Sequence, residues 1–83
     1  MSEQAIDVLD GFRQEAGLSH GELWLRYFEL GGMSSGSELE GFLYGLLIPT
    51  DHDHDVIALA INERFAELGG NHRVAYLMDV SAN

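Results

Sequence analysis

The breaks in this chain constrain its fold more than any single motif does. Gly17, the pair Gly31-Gly32, Pro49 and the pair Gly69-Gly70 divide it into segments that each carry a helical apolar spacing. Glycine after the last periodic residue favours a left-handed helix cap, and the residue before a proline is pushed out of helical geometry. Each segment is too short and too amphipathic to stand alone, so the segments must cover one another. The expectation is an all-α fold: a compact bundle of four main helices in one domain spanning residues 1-83. Residues 71-83 form a C-terminal segment or a partly flexible tail, with Val74 to Met78 as a short extended or helical clip.

The first helix runs from about Glu3 to Ala16, with Ile6, Leu9, Phe12, Arg13 and Ala16 at helical spacing. The second has the clearest start. Ser19 and Glu22 form a capping box, and Leu18 and Leu23 occupy the two positions of a hydrophobic staple. The third helix begins either at Ser35 with Glu38 or at Ser37 with Glu40, and spacing alone does not choose between them. Leu39, Phe42, Leu43 and Leu46 make its inner stripe, and Pro49 closes it. The fourth runs from about Asp51 to Leu68, with Ile57, Ala58, Ile61, Phe65 and Leu68 on one side.

Helix two is apolar on most sides. Only Glu22, Arg26 and Glu29 make a polar strip, at i, i+4 and i+7. Such a helix is either the centre of the bundle or is covered in part by another chain. The run Arg26-Tyr-Phe-Glu-Leu-Gly-Gly is echoed by Arg64-Phe-Ala-Glu-Leu-Gly-Gly. Because the match ends on both sides, it reads as shared stop chemistry rather than a duplicated hairpin.

Charge narrows the partners. Fourteen acids face four arginines and no lysine, a formal charge of −10. DNA affinity draws on cations that displace phosphate counterions, so this surface repels nucleic acid and anionic membrane and favours basic proteins. No apolar run is long enough to span a bilayer, and the N-terminus carries no signal-peptide pattern. With no cysteine there is no disulfide, thiolate nucleophile or Cys-type zinc site. A cytoplasmic location is expected.

Leu18-Ser-His-Gly-Glu-Leu23 resembles the start of the helix-turn-helix in Cro and lambda-repressor-like regulators. Ser37-Glu-Leu-Glu-Gly-Phe-Leu-Tyr-Gly45, followed by Ile48-Pro-Thr, is similar to the end of their reading helix and the loop beyond. The resemblance spans residues 5-68 and implies a helical core of that kind, with DNA binding as the function it would bring. Three departures accompany it. Helix two is longer, Trp24 stands where the family places a small residue, and the chain from Ser34 to Gly45 lacks Arg, Lys, Asn and Gln. Base readout relies on those four residue types.

Other motifs carry less. Gly32-Met-Ser-Ser-Gly36 fits the G-x-S-x-G nucleophile elbow, but a helix precedes it and there is no room for the parallel sheet that elbow needs. Gly41 and Gly45 have the GxxxG spacing, which in a soluble helix permits close packing. In Asp51-His-Asp-His-Asp55, the residues Asp51, His54 and Asp55 share a helical side and are the candidate metal ligands. As first-turn anions these aspartates equally suit the helix dipole. No cofactor is implied, and no catalytic trio assembles.

The function expected is a non-enzymatic, regulatory protein-interaction module, acting as a homodimer or by docking a basic partner protein. Trp24, Tyr27, Tyr44 and Leu47 are its candidate contacts, with Glu38 and Glu40 as the acidic rim. The alternatives are a divergent helix-turn-helix transcription regulator and a small metal-binding protein.

Overall fold

A computed structural model of the chain describes residues 8-70 together with Val74, Ala75 and Leu77. The fold is all-α. Among the described residues four helices follow in order: α1 (Val8–Glu15), α2 (His20–Glu29), α3 (Gly36–Leu43) and α4 (Asp51–Glu67). The expected start of the first helix, from Glu3 to Asp7, lies outside the described residues, as does most of the C-terminal clip.

Local chemistry sets the helix starts. Ser19 Oγ accepts the Glu22 N–H at 3.1 Å, and Glu22 returns the bond to the Ser19 N–H at 2.8 Å. The box at the start of α3 is Ser35 with Glu38, at the same two distances. Thr50 caps α4 by accepting the Asp53 N–H at 3.0 Å. Each such cap is worth about 1 kcal/mol, because it satisfies donors that a helix start leaves free.

The stops are equally uniform. After each helix a glycine at positive φ (Gly17, Gly31, Gly45 and Gly69) turns the chain. The next residue then donates back into the last turn, as in Gly32 N–H to Tyr27 O at 2.9 Å and Gly70 N–H to Phe65 O at 2.8 Å. This is the Schellman arrangement. It accounts for the repeated Glu-Leu-Gly-Gly as capping.

At α3 the stop differs from expectation. The helix ends at Leu43, capped by Tyr44, and Gly45 (φ 77°) closes it with Leu46 N–H on Gly41 O at 2.8 Å. Pro49 therefore follows the helix without ending it. Leu46, expected on the inner stripe, lies beyond the last turn and is 80% exposed. Leu68 is likewise outside the core, past the end of α4. Gly45→Ala places a Cβ in the left-handed region and is expected to cost about 1–2 kcal/mol, read as a lower midpoint in urea at unchanged slope.

The central helix is α4, not α2. Val56, Ile57, Ala58, Ala60 and Ile61 are all buried, so this helix is covered nearly all round. Its alanines give little bulk, which lets α1 and α2 approach it, while α3 packs on α1 and α2. Leu9 and Ala16 of the first segment, Leu18, Leu23 and Tyr27 around α2, and Leu39 and Leu43 of α3 complete the core with Phe65 and Val74. Phe12 meets Phe65 edge-on at 6.4 Å between ring centroids. Of the apolar residues of α2, Leu23 and Tyr27 point inward, while Leu25 and Phe28 are exposed.

Two polar side chains on α4 hold the chain beyond it. Asn62, fully buried, donates to Val74 O at 2.9 Å and accepts Val74 N–H at 3.0 Å. Asp55 Oδ1 accepts the Leu77 N–H at 2.7 Å. Neither role is signalled by spacing.

Candidate interaction surface

The first aromatic row is set by helical geometry. His20, Trp24 and Phe28 lie at i, i+4 and i+8 on α2 and so share one side. Trp24 and Phe28 stack, with centroids 5.2 Å apart and planes 21° from parallel. The indole is fixed from beneath, because Trp24 Nε1 donates to Ser34 O at 3.0 Å. At the other end, Tyr44 Oη and His20 Nε2 are 2.6 Å apart, and the two rings meet edge-on at 5.6 Å. Tyr44, the last cap of α3, is thereby tied to the first turn of α2. The four aromatic rings thus form two pairs, Trp24 with Phe28 along α2 and His20 with Tyr44 between the two helices.

The row is open to solvent. Phe28 is 56% exposed and Tyr44 42%, and Met33 in the turn between the helices is 91% exposed. Beyond Tyr44 come Leu46 and Ile48, both exposed, and Leu47, half-exposed and laid across Gly41. Leu46 and Leu47 donate backbone N–H groups to Gly41 O at 2.8 and 3.1 Å, so this apolar rim is held in place. Single exposed hydrophobes are ordinary, but a connected, ordered set usually marks a contact surface.

The turn supporting the surface is built on Tyr27. Its ring lies against Gly32, its hydroxyl accepts the Ser34 N–H at 2.9 Å, and it donates to Asp53 Oδ1 at 3.1 Å. Tyr27 is fully buried, so it is a structural post and not the contact residue expected from sequence. Its phenol has a polar end that finds its partners inside the molecule. Trp24 is half-buried against the core, while Tyr44 and Leu47 are exposed at the end of α3 and just beyond it. Glu38 and Glu40 are exposed on α3, and the Glu38 carboxylate is engaged by its own capping box. His20, Phe28 and Met33 were not among the expected contacts. The i, i+4, i+8 spacing of the two aromatics with His20 was the signal available for the first two.

Asp51, His54 and Asp55 do not form a ligand set. Asp51 is exposed at the helix start, and His54 Nδ1 is spent on Asp55 Oδ1 at 3.0 Å. That same oxygen holds the Leu77 N–H. Among the described residues no group of three or more His, Asp or Glu side chains is placed to hold a metal ion.

The cations are also engaged. Arg13 donates to Asp10 Oδ1 at 2.8 Å and to Leu18 O at 2.7 Å. Burial pushes the Asp10 carboxyl up, but hydrogen bonds from Arg13 and Gln14 and the Arg13 charge outweigh it and hold it below its usual value. Arg26 grips Glu67 with two bonds, at 2.7 and 2.9 Å, and Arg64 adds a third at 3.2 Å. Those hydrogen bonds, Arg26 first, draw the Glu67 carboxyl down to about 2. Arg73 lies outside the described residues. Among those described, no helix is long and apolar enough to cross a membrane.

No family model matches the chain, and neither a curated protein nor a solved structure shows significant similarity to it.

Proposed function

We propose that this chain is a non-enzymatic, regulatory protein-interaction module that docks a basic partner protein on the α2–α3 aromatic face. The observation that carries this reading is the stacked pair of exposed Phe28 on half-buried, hydrogen-bond-anchored Trp24, with the His20–Tyr44 pair at the start of the same helix. Rigid aromatics at a surface supply contact area at little entropic cost, and such residues dominate binding energy at interfaces. The charge of −10 selects a basic partner and speeds encounter with it. It also disfavours a second copy of the same chain.

The helix-turn-helix alternative would need free cations on α3. That helix has none, and Arg13, Arg26 and Arg64 each bond to a carboxylate. The metal-binding alternative would need three converging ligands, and among the described residues no such group is placed.

The test is capture of tagged protein from its native lysate, with and without nuclease, comparing wild type with Phe28→Asp. Loss of an exposed aromatic anchor is expected to weaken a protein partner at least about tenfold, with the thermal midpoint nearly unchanged. Undiminished capture by Phe28→Asp would contradict the assignment of this face. Recovery of nuclease-sensitive DNA would contradict the function.

A further inference from the structure

On the other flank of α2 lies a groove of about 550 Å³ between α2 and the end of α4. Its wall carries Leu25, which is 52% exposed, and Leu30. Its charged lining is Glu22, Glu29, Glu63 and Glu67 against Arg26 and Arg64, a formal balance of −2. The two arginines are held together on Glu67, and Glu22 is committed to the Ser19 cap. Glu29 and Glu63 are exposed on neighbouring helices and line the same groove. An opening of this size, with an aliphatic wall and carboxylates on both sides, matches a long side chain with an apolar stem and a cationic head.

We infer that this groove takes a lysine or arginine side chain from a basic segment of a partner protein, with its stem on Leu25 and Leu30 and its head between Glu29 and Glu63. Charge complementarity fixes the occupant. A second copy of this chain is a poor donor, having a net charge of −10 and no lysine. Residues 22, 26 and 29 lie about 100–160° around α2 from Trp24 and Phe28, with Leu25 between the two sides. The inference therefore stands on a different surface from the aromatic row and survives its failure.

The experiment is an amide chemical-shift titration of the full chain with a blocked hexapeptide of alternating lysine and leucine. Its counterpart with glutamate in place of lysine is run in parallel. The expected result is saturable shifts at Leu25, Glu29 and Glu63 that weaken with salt and are absent with the glutamate peptide. Glu29→Gln combined with Glu63→Gln should weaken binding at least tenfold, while Asp51→Asn, a charge loss at the far end of α4, should leave it unchanged. Absence of saturable shifts in the groove would overturn the inference, as would equal binding of the glutamate peptide or an unaffected double variant. Shifts confined to Trp24, Phe28 and Tyr44 would also overturn it, while supporting the aromatic face.

Discussion

Gly32→Ala is expected to lower stability by about 3 kcal/mol, at the upper end of what overpacking costs, and to drop the thermal midpoint by more than about 10 °C. The cause is steric. Gly32 is not in the left-handed region, but a Cβ there would run into the Tyr27 ring at Cζ and both Cε atoms. The ring cannot yield easily. Tyr27 is fully buried and its hydroxyl is held by the Ser34 N–H and Asp53. The backbone from Gly32 to Ser34 wraps the ring, with Gly32 N–H on the Tyr27 carbonyl and Ser34 N–H on its hydroxyl. Moving either releases the turn that positions Met33 and the Trp24 acceptor. Gly21→Ala is the matched control: its Cβ meets nothing within 4 Å and the residue lies inside α2. There the substitution should stabilise by about 0.5–1 kcal/mol. Thermal melts of the two variants side by side check both values.

Asn62→Ala should cost about 2–4 kcal/mol, because it removes two hydrogen bonds and strands the polar groups they satisfied. Val74 is buried, with its N–H and C=O both paired to this one side chain. Without Asn62 the backbone at Val74 must either stay buried unpaired or leave the core and take the valine with it. The second route costs the burial of Val74, of order 1.5–3 kcal/mol. A domain of this size has only about 5–10 kcal/mol in hand, so the loss is a large share of the whole. Hydrogen exchange at the Val74 amide, together with the urea midpoint, reads it. Exchange should accelerate by well over tenfold in the variant. An unchanged rate would mean that Asn62 does not hold this segment.

The helix count and most helix ends were legible because their causes are local. Ser19 with Glu22, and Gly17, Gly31 and Gly69 after their helices, act within a few residues and need no knowledge of the fold. Two starts for α3 fitted the same local rule, and tertiary contacts separate them. With Ser35 as cap, Gly36 lies against the Trp24 ring and the Trp24 indole meets Ser34 O. Pro49, a stronger breaker, follows Gly45 by four residues, and the spacing of Gly45 from Gly41 equally fits close helix packing. The inward side of α2 was not legible. A helix with Leu23, Trp24, Leu25, Tyr27, Phe28 and Leu30 has no clear polar side to orient it, so Tyr27 and Phe28 could exchange roles on paper. Burial by α4 decides, and it takes Tyr27. The same limit hid α4, whose alanines look unremarkable in sequence until they allow neighbours on all sides. Asn62 and Asp55 bond to backbone twelve and twenty-two residues away, and no local pattern announces that.

The aromatic face is tested most directly by placing a benzophenone side chain at position 28 or 44, and separately at position 66, in the protein within its native lysate. Irradiation should yield a discrete protein adduct at positions 28 and 44, sensitive to salt and resistant to nuclease, with none at 66. Equal adducts at all three positions, or none at 28 and 44, would contradict the claim that this face is where the protein meets its partner.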